Sequence, residues 1–168
     1  MLLLPSAILH NMIEHARLLD PHECCGILAG VNREVRKQYR ITNILASLTT
    51  TELARFDQAK LSDLKQLSPE ERADIAFQMD AQEMALAQKD IRTQSLQLQA
   101  FYHSHTASPA RPSTTDITIA MEFESYREKL NLPEPLHVII SLMEKDTPIV
   151  RAYQIRNSTA TEVEITRS

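Results

Sequence analysis

The run His103-Ser104-His105, seven further residues, and then Ser113-Thr114-Thr115-Asp116 brings two imidazoles and a carboxylate into one short window. All three are zinc-ligand types, and a catalytic zinc takes three protein ligands so that a water can hold the fourth position. A structural zinc would close that position with another side chain, typically Cys, and none lies nearby. The pattern is that of an open metal site, with His103, His105 and Asp116 as its ligands.

The flanking sequence supplies elements that can position them. Between Leu96 and Tyr102 apolar residues recur at about every second position, which predicts a partly buried strand leading into His103. Residues i and i+2 of a strand share a face, so His103 and His105 can grip one ion from one side. Pro109 and Pro112 make the segment from Thr106 to Pro112 a loop that turns the chain back. From Ser113 a helical spacing of Ile117, Ala120, Met121 and Leu130 begins, placing Asp116 in the first turn, aimed at the strand end. Plainer readings compete. Ser113-x-x-Asp116 is also a helix capping box, and an isolated H-x-H pair suits an edge-strand surface. Their joint occurrence in this order favours the metal site.

At these residues the sequence resembles the JAMM motif of the MPN-plus metalloproteases, a distant Glu followed by H-x-H, seven residues and S-x-x-D. A second block, Pro21-His22-Glu23-Cys24-Cys25-Gly26-Ile27-Leu28-Ala29-Gly30, resembles that family's P-x-E-x-C-G-x-L-x-G segment and puts Glu23 at the catalytic glutamate. Weaker similarity runs through Asn43, the strand His137 to Leu142 and the strand Pro148 to Ile155. The resemblance implies one domain over residues 1–168, an α/β fold with a mixed sheet flanked by helices and related to the cytidine-deaminase architecture. It also implies zinc-dependent hydrolysis of a peptide or isopeptide bond. Zn2+ would lower the pKa of its bound water, Glu23 would take that proton and pass it to the departing amine, and Ser113 would donate to the oxyanion. Compact members of the family cleave after the Gly-Gly tail of ubiquitin-like or sulfur-carrier proteins, which makes such a carrier the expected partner. Its tail would lie extended beside a sheet edge. The alternative is an MPN-type scaffold or assembly subunit that is inactive in isolation. Two departures stand out. Thr106 occupies a position that is usually Pro, which loosens the loop, and a helical insertion at about 46–78 exceeds what compact members carry. A stripe of Leu61, Leu64 and Leu67 in that insertion would cover either a partner or its own domain. A nucleoside deaminase is disfavoured, because H-x-E and P-C-x-x-C are missing.

Composition narrows the remaining classes. The chain has 168 residues, 43% of them hydrophobic, no Trp and a formal charge of −4 without a basic stripe, so nucleic acid is not an expected partner. MLLLPS is too short for a signal-peptide core and no stretch could span a bilayer, so the expected location is cytoplasmic, with no membrane partner. A homodimer is included among the expected partners. Adjacent Cys24 and Cys25 point to opposite faces of a strand and form no disulfide framework, with Cys25 assigned to packing. His10, His15, His22 and His137 are read as structural or surface residues. Ser6 is read as the cap of a first helix that Asp20-Pro21 ends, and Ser68-Pro69-Glu70-Glu71 as the start of a helical stretch toward Thr93. Strands are expected over CGILAGV, REVRKQYRIT, 96–102, 137–142, 149–155 and 162–165. Gly26 and Gly30, the two glycines of the chain, imply close approach or unusual torsions.

Overall fold

The computed structural model describes residues 1–53, 64 and 66–168. Eight strands form one mixed sheet: β1 (Leu2–Leu4), β2 (Cys25–Val31), β3 (Glu34–Ile41), β4 (Gln97–His105), β5 (Leu136–Ser141), β6 (Ile149–Arg156), β7 (Thr159–Val163) and β8 (Ile165–Arg167). Their spatial order is β7-β6-β5-β4-β2-β3-β1-β8. The first and last strands of that order are separated in sequence by Glu164 alone, so the sheet must curl until its two edges meet at one corner. Leu2 donates to the Glu164 carbonyl there at 2.8 Å. The α-helices among the described residues are α1 (Ser6–Leu19), α2 (Thr50–Leu53), α3 (Pro69–Ile75), α4 (Ala81–Thr93) and α5 (Thr114–Leu130). No described helix is long and apolar enough to cross a membrane.

Helix α1 fills the concave face. Its Leu9, Met12 and Ala16 pack with Leu28, Ala100, Tyr102, Val138 and Ile140 of the sheet. The outer face carries α4, through Ala87 and Ile91, and α5, through Ala120. Covered on both sides, β2 is buried from Cys25 to Gly30, which explains why its sequence is apolar throughout instead of alternating. Cys24 and Cys25 fall in the two different cores, as strand alternation requires, and both are free. Their burial pushes the Cys24 thiol up to about 12 and Cys25 higher still, so neither is a ready nucleophile.

Close approach, not torsion, accounts for both glycines, since neither has positive φ. A Cβ on Gly26 would lie 2.3 Å from the Tyr102 ring and from the Tyr39 carbonyl, and one on Gly30 would lie 1.8 Å from the Glu34 carbonyl. The tight turn beyond Gly30 is made instead by Asn32 and Arg33, with φ of 51° and 66°. Tyr102, wedged under Gly26, receives a hydrogen bond from Gln38 at 2.9 Å and contacts His15 Nδ1 at 2.8 Å. With its hydroxyl proton given to His15, that imidazole is held neutral, and burial pulls its pKa to about 4. The structural reading of His15 therefore stands.

Three sequence expectations change. Ser6 does not cap α1: Pro5 holds the cap position without a side-chain bond, and Ser6 is the first helical residue. The helical stretch opened by the Ser68 capping box stops at Ile75, because Ala76 turns extended and Asp80 caps a separate helix through Glu83 N–H. Lastly, β1 is an additional strand of three residues, and the strand expected over 162–165 is split at Glu164 into β7 and the three-residue β8, which pairs parallel with β1. Of the leucine stripe, Leu61 lies outside the described residues. Leu64 is buried with Leu45, Leu53 and Ala73, and Leu67 packs against that cluster, which supports the reading that the stripe covers its own domain. The buried Arg72 donates to the Leu64 carbonyl at 2.9 Å and fixes this cluster to α3.

Candidate metal centre

The parallel pairing of β4 with β5 and the antiparallel pairing with β2 hold β4 rigid through His105. His103 and His105 project from one face, as the i, i+2 spacing demands, and both are 5% exposed. Cys25 pairs with His103, and Ser104 donates to the Cys24 carbonyl at 3.0 Å, so continuing the register by two residues sets Glu23 opposite His105. Ser104 secures the same corner with its side chain, whose oxygen accepts from Cys24 N–H at 2.8 Å. Glu23 is 4% exposed, and its carboxylate lies within 4.8 Å of the ligand nitrogens of both histidines. A glutamate eighty residues away thus reaches the imidazoles through strand pairing.

The loop after β4 is tied down despite Thr106. Ser141 Oγ donates to the Ser108 carbonyl at 2.6 Å, and Tyr153 donates to that of Ala110 at the same distance. The loop returns the chain to Ser113, which caps α5 in a reciprocal box with Asp116. The capping reading is therefore correct, and it coexists with the metal reading. Asp116 Oδ2 accepts from Ser113 N–H at 2.8 Å and lies 3.2 Å from Nε2 of both His103 and His105. The two Nε2 atoms are 3.1 Å apart.

These distances describe a near-equilateral triangle of donor atoms. Tetrahedral zinc, with bonds of about 2.0–2.1 Å, needs donors roughly 3.3 Å apart. The protonation pattern agrees. His105 Nδ1 donates to the Pro109 carbonyl at 2.8 Å, which leaves a lone pair on Nε2 facing another imidazole nitrogen and a carboxylate. Only a cation or a proton at the centre relieves that convergence. For His105, burial disfavours the charged ring, but the bonds to Asp116 and Pro109 outweigh it and raise the pKa. Asp116, despite burial, is held far below the usual carboxylate range by His103 and His105. Burial, and then the Asp116 charge, push the Glu23 carboxyl well above its ordinary value. Phe77 stacks on His103 at 4.7 Å between ring centres and limits its rotation.

Sequence reasoning missed the parts that hold Glu23. Its N–H donates to the Ala73 carbonyl of α3 at 2.8 Å, and neighbouring His22 contacts Asp74 at 2.6 Å. Asn43 Nδ2 donates to the Glu23 and Ala76 carbonyls at 3.0 and 3.1 Å, while its Oδ1 accepts from Leu45 and Gln78. One amide thus joins the Glu23 loop to the extended strap from Ala76 to Asp80. Replacing Asn43 by Ala strips partners from four backbone groups at about 0.5–1.5 kcal/mol each. We expect a lowered melting temperature and a kcat reduced by roughly 10- to 100-fold with zinc content unchanged, a range typical of lost positioning partners. An unaltered kcat in the folded variant would remove Asn43 from the site.

Two recesses flank the centre. A largely apolar cleft of about 760 Å3 runs from His103 and Asp116 between the strap and α5, walled by Phe77, Met84, Phe101 and Phe123. His137 also lines it, with burial pulling its pKa to about 4, so this histidine is a neutral wall of the site and not only a strand start. A second recess, of about 680 Å3, opens beside Glu23.

Residues 5–156 match the family described as prokaryotic homologs of the JAB domain. Proteins named CysO-cysteine peptidase from Mycobacterium tuberculosis and Mycobacterium bovis are 28% identical over 163 residues, covering 96% of this chain and 87% of theirs. A protein structure from Desulfitobacterium hafniense aligns at a TM-score of 0.69 and 28% identity, over 100% of this chain and 93% of that one. A JAB1/MPN domain protein from Archaeoglobus fulgidus aligns at 0.52 and 14% identity, over 99% and 98%, which speaks for the fold alone.

Proposed function

Because the chain belongs to the family of prokaryotic homologs of the JAB domain, whose mycobacterial relatives here are peptidases by name, we propose that it is a zinc-dependent peptidase or isopeptidase. On this reading it cleaves after the Gly-Gly tail of a ubiquitin-like or sulfur-carrier protein. The observation that carries the proposal is the triangle of His103, His105 and Asp116 donor atoms at 3.1–3.2 Å with the Glu23 carboxylate beside it. Zinc bound by these three side chains would act as a Lewis acid and bring the pKa of a bound water toward neutrality.

The chain's own groups would do the rest. Glu23, buried and raised in pKa, takes a proton from the attacking water and delivers it to the leaving nitrogen. The water oxygen bonds to the carbonyl carbon as the C–N bond breaks, so the carrier ends in a free carboxylate. The Ser113 oxygen accepts from Asp116 N–H at 3.1 Å, which keeps its hydroxyl proton free to meet the oxyanion. An extended tail has a backbone edge to follow. Gln78 and Asp80 bond to the 42–44 segment, so by strand alternation the N–H and C=O of Met79 point to the other side of the strap. Apolar side chains of the tail would enter the adjoining cleft. The free, buried Cys24 and Cys25 suit a reducing, cytoplasmic setting.

The test is to incubate zinc-loaded protein with carrier proteins extended beyond Gly-Gly and read their C-termini by mass spectrometry. Expected is a carrier ending at Gly-Gly, no reaction after chelation, and recovery on adding zinc. A protein holding one zinc per chain that leaves every such carrier intact would favour the scaffold reading instead.

A further inference from the structure

The ligand histidines sit on β4, which has β2 on one side and β5 on the other. Glu23 precedes β2, whereas the apolar cleft extends over β5, floored by Phe101, His137 and Ile139 and walled by Phe123 of α5. A group that protonates the departing nitrogen stands on the leaving-group side, so the acyl side of the bond, the carrier tail, lies over the cleft. Apart from the ligands His103 and Asp116, the polar side chains lining that cleft are Gln78 on the strap and His137 on the sheet. Among the described residues no group hydrogen-bonds to the His137 ring. No fully enclosed side-chain nitrogen among them lacks a partner, so the ring nitrogens of His137 open into the cleft. Burial keeps this imidazole neutral, with one N–H to donate and one lone pair to accept. Its surroundings are aromatic: its ring centre lies 6.1 Å from that of Phe101, which meets Phe123 edge-on at 5.0 Å.

The sheet register fixes how far this group stands from the chemistry. In the parallel β4–β5 pair Phe101 is opposite His137 and His103 is opposite Ile139. His137 is therefore two strand residues, roughly 7 Å, behind the ligand His103. An extended tail with its scissile carbonyl at the metal advances about 3.3 Å per residue, so the two glycines span that distance. The next side chain, that of the residue before Gly-Gly, arrives at His137.

We propose that the cleft is a side-chain pocket selecting tyrosine immediately before Gly-Gly, with His137 bonded to the phenolic hydroxyl and Phe101 and Phe123 packed against the ring. The proposal rests on the reading of the chain as a hydrolase acting after Gly-Gly tails. Phenylalanine would suit the apolar walls but bury the imidazole nitrogens without a partner, and a charged side chain would lose its hydration among aromatic rings. A phenol both donates and accepts, so it satisfies either tautomer of the histidine while its body stays in apolar contact.

The test compares two short peptides of one sequence, ending in Tyr-Gly-Gly-Ala or Phe-Gly-Gly-Ala, on the zinc-loaded protein. Expected is a kcat/KM about 5- to 100-fold higher for the tyrosine peptide, the range for leaving a buried hydrogen-bonding group unmet. His137→Leu should bring that ratio close to one, and His137→Gln, which keeps a donor and an acceptor, should restore part of it. Equal wild-type rates, or a tyrosine preference that survives intact in folded His137→Leu, would overturn the assignment. The wild-type comparison stands even where a variant does not fold. Binding is read separately from turnover by calorimetric titration with peptides ending in Tyr-Gly-Gly or Phe-Gly-Gly. Tighter binding of the first supports the pocket even if neither extended peptide is cleaved, an outcome that would refute the hydrolytic reading. Equal binding of both, or binding of neither, refutes the pocket itself.

Discussion

Glu23→Gln should keep its zinc and lose its turnover. The substitution preserves side-chain length and hydrogen bonding but removes the basic carboxylate, and proton transfer by a positioned group contributes typically ~100- to 10,000-fold. The ligand triangle does not include Glu23, since Asp116 closes it at 3.2 Å from both imidazoles, so metal content should hold near one per chain. Folding should hold as well. The Glu23 backbone is what Ala73 and Asn43 grip, and a neutral amide is easier to bury than a carboxylate whose pKa burial and Asp116 already raise. Elemental analysis beside kcat on a carrier conjugate checks both halves. Activity retained within a few-fold would move the base elsewhere, and His22, held by Asp74, would be next to test.

How legible each part was depends on the sequence distance over which it is built. The His103, His105 and Asp116 ligands sit on one strand, one loop and one helical turn, so local periodicity sufficed to bring them together. Their Ser113 box satisfied two readings at once because the first turn of α5 must cap its own N–H groups and also present Asp116 to the imidazoles. Glu23 was different. Nothing in the periodicity around it specifies the β2–β4 register that sets it opposite His105, and only the resemblance of its block to a family motif singled it out.

The strap was misread for a physical reason. From Pro69 to Thr93 the residues are good helix formers, and local propensity gives no sign that Asn43, more than thirty residues upstream, binds the Ala76 carbonyl and Gln78 N–H and thereby holds the segment extended. Asp80 was the available signal, as an N-cap type ahead of Glu83 and a new run of helix formers. The missed β1, and the β8 that the expected 162–165 strand merged with β7, belong to the same class of error. Each has three residues, too few for a pattern, and each is ordered by a partner at the other end of the chain.

His105→Ala should abolish stoichiometric zinc binding, and with it activity. Replacing groups that only orient a ligand commonly costs about 10- to 100-fold in metal affinity, so deleting the ligand itself must cost more. The geometry makes His105 the harshest of the three losses. Its Nδ1 bond to Pro109 anchors the loop that leads to Ser113, and its Nε2 lies within 3.2 Å of both other ligands. Thermal melting separates this effect from general damage. Zinc at about 1,000 times its dissociation constant should stabilise the wild type by roughly 4 kcal/mol, while His105→Ala should show no zinc-dependent shift. A folded His105→Ala protein that still binds one zinc at wild-type affinity would show that the triangle is not the metal site, and the peptidase reading built on it would fall.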